Sequence, residues 1–347
     1  MTVQANAPPL PLAITLGEPA GIGPDIILSA WLQAGLDARR RGRLPTFVVV
    51  GDGELMTSRA RKLGLTVPIR CVASAAEAAS VFADALPVLH RPLARPPHAG
   101  HPTPANAPAV VAAIEEAVSL VETAAAALVT GPVHKKTLYD GGFAFPGHTE
   151  FLAALSGPDV RPVMMLAGAA LRVVPVTVHR PLRAAVAELS TEAIVFAGNV
   201  TAAALVRDFA IAVPRLAVAG LNPHAGEDGA LGREEPDIIA PAVARLQASG
   251  IHAVGPVPPD ALFTPAMRDR YDAALCMYHD QALIPLKALD FDGGVNVTLG
   301  LPFVRTSPDH GTALDIAGTG AARPDSLVAA MRLASAMAAR RAGRAPA

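Results

Sequence analysis

Short aliphatic runs bounded by Gly, Pro or Asn recur along this chain, each followed by a longer segment with helical periodicity. Runs of this kind predict strands of a parallel sheet, which are buried on both faces and so lack polar alternation. Leu12–Leu16 predicts a strand, and Pro24–Ala34 a helix entered through Gly21, Gly23 and Pro24. Phe47–Val50 predicts a second strand that ends in the turn Gly51-Asp52-Gly53. From Pro87 to Pro108, seven prolines and three histidines (His90, His98, His101) predict an extended connection carrying solvated histidines. Asn106 predicts an N-cap, with Pro108 in the first turn of a helix reaching about Ala126. Ala127–Thr130 predicts another buried strand. Strands and helices alternate again from Pro162 to Tyr278, and a last helix runs from about Ser326 into an arginine-rich tail. The alternation predicts an α/β fold.

Composition narrows the class. At 347 residues, two domains are expected. A hydrophobic share of 51% against 17% charged residues suits a globular protein with much buried sheet. The formal net charge of −1 gives no electrostatic case for nucleic acid or an anionic membrane as partner. Cys71 and Cys276 lie in or beside apolar runs, which predicts buried free thiols and no disulfide framework. The first residues lack a basic segment followed by a long apolar one, and Val163–Val178 is interrupted by Arg172 and Pro175. A cytoplasmic protein is therefore expected. Only four of the 29 basic residues are lysines (Lys62, Lys135, Lys136, Lys287), which draws attention to each of them.

Three apolar runs deliver a histidine at or just past their last residue: Arg172–His179, Leu216–His224 and Ala273–His279. In parallel sheets the carboxyl ends of strands line the ligand crevice. Three imidazoles arriving there from separate strands suit a divalent metal with open coordination positions. Singly, each would be an ordinary hydrogen-bonded loop residue. Asp280 and Glu227 stand close enough in sequence to orient two of the rings.

Two further segments carry candidate chemistry. Phe145-Pro-Gly-His148-Thr149-Glu150 leads into an apolar segment, either as a simple helix cap or as an anion site at a helix N-terminus. Lys287 to Arg305 supplies a lysine, Asn296, Thr298 and Arg305. Arg305 can grip a phosphate or carboxylate bidentately, and a lysine beside a cation has its pKa lowered toward proton transfer. The alternative is a solvated lysine and a structural arginine. The loop Gly17-Glu-Pro-Ala-Gly21-Ile-Gly23-Pro24 does not match the glycine fingerprint of dinucleotide-binding folds.

In order along the chain stand GEPAGIGPDI, GHTEFLA, TVHRPLR, GLNPHAGEDG, MYHDQALIPLK and GVNVTLGLPFVRTSPDHGTALDIAG, blocks of a match that runs from about residue 12 to 335. This series resembles the 4-hydroxythreonine-4-phosphate dehydrogenase family of pyridoxal phosphate biosynthesis. Gly21–Asp25 and His310–Gly318 are also similar to signatures of the isocitrate and isopropylmalate dehydrogenases.

The resemblance implies two α/β/α domains with a cleft between them, one from residues 1–130 with 285–347 and the other from 131–284. It implies a homodimer whose active site is completed at the subunit interface. One divalent ion per site (Zn, Mg, Co or Mn) would be held by His179, His224 and His279. Substrate would meet His148, Thr149, Lys287, Asn296 and Arg305. NAD(P) would lie against His310, Gly311, Asp315 and Gly318. The implied reaction oxidises 4-phosphooxy-L-threonine at C3, with Lys287 as base ahead of Asp260, and the β-keto acid then decarboxylates to 3-amino-2-oxopropyl phosphate.

Three alternatives stand beside it. A related enzyme of 4-phospho-D-threonate or erythronate would keep the same residues. An aromatic cis-diol dehydrogenase would need neither Gly147–Glu150 nor Arg305. A metal-dependent hydrolase, or a non-catalytic metal or solute binder, would use the histidines alone.

Overall fold

The computed structural model describes residues 9–36 and 44–343. Residues 1–8 of the N-terminal stretch without a basic-then-apolar pattern lie outside them, as does the end of the arginine-rich tail. Twelve strands occur among the described residues: β1 Leu12–Thr15, β2 Phe47–Gly51, β3 Ile69–Cys71, β4 Leu86–His90, β5 Leu128–Thr130, β6 Val163–Ala167, β7 Arg172–Pro175, β8 Arg215–Ala219, β9 His252–Val257, β10 Ala273–Cys276, β11 Val295–Leu299 and β12 Arg305–Pro308. The chain divides into two compact units, residues 1–160 with 301–347, and residues 161–300. The divisions thus fall at 160 and 300, where the sequence placed them at 130 and 284.

In the first unit the strands run in the order β3-β4-β2-β1-β5-β12, and every neighbouring pair is parallel. β1 and β2 are buried at every residue, as their unbroken apolar sequences require. The helix Ala107–Thr123 packs on both. It turns Val110, Ala113, Ile114, Ala117 and Val118 inward, the spacing of one helical face. The helix Asp325–Arg341 packs against β12 and against the helix α1, Gly23–Leu36. After β1 the chain turns to β2 on one side, while β5 lies on the other. The carboxyl ends of β1 and β5 therefore flank a topological switch point, where parallel sheets bind ligands.

In the second unit the order is β11-β6-β7-β10-β8-β9. β7, β10, β8 and β9 are mutually parallel, whereas β6 is antiparallel to both β11 and β7. Its core joins Leu166, Val173, Ala217, Ala274 and Cys276 to Leu283 and Leu286 of the helix His279–Leu289.

Four local readings change. Residues 86–90 form a strand despite Pro87, so the Pro-rich connection begins only at Arg91. Asn106 does not cap with its side chain; its carboxamide accepts from the Arg95 N–H at 3.0 Å and donates to the Arg95 carbonyl at 2.9 Å, pinning that connection. Asp52, expected in a plain turn, caps the helix α2, Gly53–Lys62, by accepting from the N–H groups of Glu54 and Leu55. Cys276 is buried as expected, but Cys71 is exposed, because β3 is the outermost strand of its sheet. Among the described residues no single helix is long and apolar enough to cross a membrane; Leu182–Glu188 and Thr191–Phe209 reach that mark only as a pair bent by 91°.

Candidate functional site

β7, β10 and β8 lie side by side and parallel, so all three histidine-bearing runs open at the same edge of the second unit's sheet. Pairing continues past the strand ends: the Val176 N–H donates to the Cys276 carbonyl at 2.7 Å, and the Thr177 hydroxyl to the Met277 carbonyl at 2.8 Å. These bonds carry the two chain segments forward in step and set His179 beside His279, with ring centroids 5.8 Å apart. The rings line a cavity of about 350 Å³ together with Thr177, Arg180, Tyr278 and Asp280. His279 Nδ1 is 2.7 Å from a carboxylate oxygen of Asp280. With the Nδ1 proton donated to Asp280, Nε2 keeps its lone pair for a ligand.

His224 arrives differently. It is the first of six consecutive residues with positive φ, His224 to Gly229, only two of which are glycine. Each non-glycine residue there costs on the order of 1–2 kcal/mol, so the turn exists only because neighbours hold it. Backbone bonds close it, from the N–H of Ala225 to the Asn222 carbonyl and of Leu231 to the Gly226 carbonyl, both at 3.1 Å, and Glu235 anchors the segment that leads into it. Its buried carboxylate accepts from the N–H groups of Leu221 and Asn222, both at 2.7 Å, and from Asn222 Nδ2 at 2.9 Å. Burial alone would raise the Glu235 pKa, but the hydrogen bonds from Asn222 and Leu221 prevail and hold it below the usual range. The imidazole of His224 is exposed, 3.8 Å from Glu227.

The structure thus brings His179 and His279 together and does not bring His224 to them within one chain. Among the described residues no group of three His, Cys, Asp or Glu side chains is placed to hold a metal ion. Two imidazoles, one oriented by a carboxylate, nevertheless fit as part of the donor set of a divalent ion. Of the other candidates in this unit, Lys287 is half-buried on the helix begun by His279, Asn296 is half-buried on β11, and Asp260 is exposed in the short helix Pro259–Leu262.

The first unit holds the anion chemistry. Arg305 begins β12, is 4% exposed, and reaches along the sheet to donate to the Thr130 hydroxyl at the end of β5, from Nη2 at 2.6 Å and from Nε at 3.2 Å. Burial pushes its pKa down to about 10, so the guanidinium is still charged at neutral pH. His148 is the first residue of the helix His148–Ser156, whose N-cap is Gly147 and whose N-terminal N–H groups receive no side-chain cap. Its Nε2 is buried without a hydrogen-bond partner. Burial, with the Arg305 charge, holds the His148 pKa well below its ordinary value, so the ring is neutral. Thr149 follows it, half-buried. A buried cation, an unmatched imidazole nitrogen and an uncapped helix N-terminus have the chemistry to receive an anion.

The loop after β12 carries the remaining candidates. His310 Nδ1 lies 3.0 Å from the Gly311 carbonyl oxygen, while its Nε2 is buried and unpartnered. Gly311 faces open space, and Asp315 is exposed. The Gly318 N–H donates to Asp25 at 2.6 Å.

Sequence reasoning missed Glu235, Thr130, Arg59 and Glu18. Glu18, at the carboxyl end of β1, is buried, and burial raises its pKa against the opposing effects of the Ala20 N–H and His134. No local pattern distinguishes Arg59 or Thr130. A second acid in Arg233-Glu-Glu235 beside a histidine loop was the one available hint.

These features give a two-unit α/β protein with a buried guanidinium and an uncapped helix N-terminus in one unit and a pair of imidazoles at a strand edge in the other. The chain belongs to the family of the pyridoxal phosphate biosynthetic protein PdxA, whose family model matches residues 43–334. It is 57% identical to the 4-hydroxythreonine-4-phosphate dehydrogenase of Caulobacter vibrioides, over 95% of this chain and 98% of that one. To the enzyme of the same name from Bradyrhizobium diazoefficiens it is 53% identical, over 97% and 99%. The crystal structure of 4-hydroxythreonine-4-phosphate dehydrogenase from Klebsiella pneumoniae superposes with a TM-score of 0.83 at 38% identity, covering 95% of this chain and 99% of that one. A terephthalate 1,2-cis-dihydrodiol dehydrogenase from Burkholderia xenovorans is more distant, with a TM-score of 0.61 at 28% identity and coverage of 97% and 99%.

Proposed function

We propose that this chain oxidises 4-phosphooxy-L-threonine at C3 with NAD(P), giving a β-keto acid that loses carbon dioxide to leave 3-amino-2-oxopropyl phosphate. The observation that carries this reading is the buried Arg305 guanidinium beside the neutral His148. A phosphate ester supplies the anion that this pair and the uncapped helix N-terminus would take. Phosphate held there by Arg305, His148 and Thr149 supplies remote binding energy for orienting C3. Asn296 and Lys287 bind the other end, and Lys287, ahead of Asp260, takes the proton from the C3 hydroxyl. His179, His279 and His224 would hold one divalent ion (Zn, Mg, Co or Mn), whose Lewis acidity lowers the pKa of that hydroxyl. His310, Gly311, Asp315 and Gly318 would hold NAD(P), which would supply the hydride acceptor.

The proposal includes a homodimer in which His224 comes from a second copy. Supporting this, His224 does not meet the other two within one chain. Leu182 on the cavity wall and Ile284 on the His279 helix are also exposed at 59% and 66%, large apolar side chains that a second copy would cover. A cytoplasmic location belongs to the same proposal.

Steady-state kinetics with 4-phosphooxy-L-threonine and 4-phospho-D-threonate test the substrate. A higher kcat/KM for the former supports the proposal, and a higher value for the latter overturns it. Phosphate release without NAD(P) reduction would instead favour a hydrolase.

A further inference from the structure

We propose that Arg59 is a positioning residue for the nicotinamide dinucleotide: from helix α2 it locks the loop Gly17–Gly23 to the loop His310–Gly318. The proposal rests on the assignment of His310–Gly318 to the cofactor made above.

Arg59 and Asp25 are 3% and 1% exposed. The guanidinium donates from Nη1 to the Gly21 carbonyl at 2.9 Å and from Nη2 to the Pro19 carbonyl at 3.1 Å, and it pairs through Nη1 with Asp25 at the start of α1. The second oxygen of Asp25 accepts the Gly318 N–H. One buried cation thereby joins α2, the loop after β1, the first turn of α1 and the loop after β12. The two loops also meet directly, through the Ile22 N–H on the Thr312 carbonyl at 3.0 Å. Gly21 packs so closely on Thr312 that a Cβ there would lie 3.0 Å from its carbonyl oxygen.

Both loops leave the carboxyl edge of a parallel sheet, where ligands bind. Gly311 faces open space and His310 Nε2 is buried without a partner, so this loop presents polar groups that an incoming ligand can satisfy. Arg59 lies behind that surface and acts through the loops. Filling the core alone would need no charge. Satisfying two carbonyls and a carboxylate on different segments needs the planar fork of a guanidinium, which lysine lacks.

The test uses the full-length enzyme with its divalent ion. In Arg59→Lys, KM for the dinucleotide should rise roughly tenfold, while kcat at saturating dinucleotide and KM for the phosphorylated substrate stay within about twofold. Arg59→Met should raise the dinucleotide KM further. Amide exchange at residues 310–318 should quicken in Arg59→Lys, a readout independent of turnover that also serves if Arg59→Met does not fold. An unchanged dinucleotide KM in Arg59→Lys would overturn the proposal. So would a parallel loss in both KM values and kcat, the mark of a merely structural role. His310→Ala separates the two layers. If it leaves the dinucleotide KM unchanged, the cofactor assignment fails and the positioning role goes with it. If it raises that KM while Arg59→Lys does not, only the positioning role fails.

Discussion

The anion receptor of the first unit and the histidine edge of the second both stand on the ends of sheet strands, but they are finished to different degrees. Arg305 and Thr130 are buried and hydrogen-bonded within a single chain, His148 is half-buried with its Nε2 enclosed, and the electrostatics there are already set: one charged guanidinium, one imidazole held neutral by burial and by the Arg305 charge. At the histidine edge two rings face each other across a cavity while the third stands in solvent on a left-handed turn. A preformed receptor gives binding energy that needs no reorganisation, which suits recognition of a constant group such as a phosphate. On the proposed reading, an edge that lacks one ligand would bind its ion only once a second copy supplies it, so that activity would follow assembly. This contrast orders the expected effects of substitution.

Arg305 offers the largest. Arg305→Met should lower kcat/KM for the phosphorylated substrate by roughly 100- to 1,000-fold, the 3–4 kcal/mol typical of truncating a buried charge–anion contact. Steady-state kinetics measure it, and a loss under tenfold would show that the receptor is not where phosphate binds. Glu235 comes next. Glu235→Ala removes the acceptor for three N–H donors, and should cost about 2–3 kcal/mol of stability in denaturant unfolding and weaken metal binding through His224. Unchanged metal affinity would mean that the left-handed turn does not serve the ion. Asp280→Asn should weaken metal affinity about tenfold, as losing a carboxylate behind a ligand imidazole does.

The smallest effect is a pH dependence that separates the two regions. The folded-state pKa of His148 lies below its unfolded value near 6.5. Below pH 6.5 the unfolded chain takes up a proton that the folded chain refuses. His148 therefore favours the fold fully above that pH, and stability falls as pH drops below it, towards the folded-state pKa. Urea unfolding followed from pH 7.5 to 5.5 should show this fall in the wild type and a flatter profile in His148→Gln. Equal slopes would contradict a buried neutral His148.

Much of this contrast was legible before the structure. Three apolar runs ending in histidine do lie adjacent and parallel, because covered strands need apolar residues throughout and so advertise themselves. Arg305 and His148 stood out by residue type. The path of His224 did not, since four of the six positive-φ residues from His224 to Gly229 are not glycine and the segment leading into them is anchored by Glu235 from beyond the turn. β4 was hidden by Pro87, which removes the backbone donor that usually marks a strand, yet β4 holds its place by pairing with both β2 and β3. The antiparallel setting of β6 was hidden as well, because residue pattern does not reveal strand direction. Arg59 is one arginine among many, distinguished only by the carbonyls it meets.

Mixing two inactive variants bears most directly on the proposed difference between a receptor complete in one chain and a metal edge completed by two. His179→Ala and His224→Ala subunits, each purified, dissociated and reassociated at equal concentration, should together recover about a quarter of wild-type NAD(P) reduction and metal content. Half the dimers would then be mixed, and one of the two sites in each would hold all three imidazoles. Failure to recover either activity or metal in confirmed mixed dimers would contradict a site shared between copies.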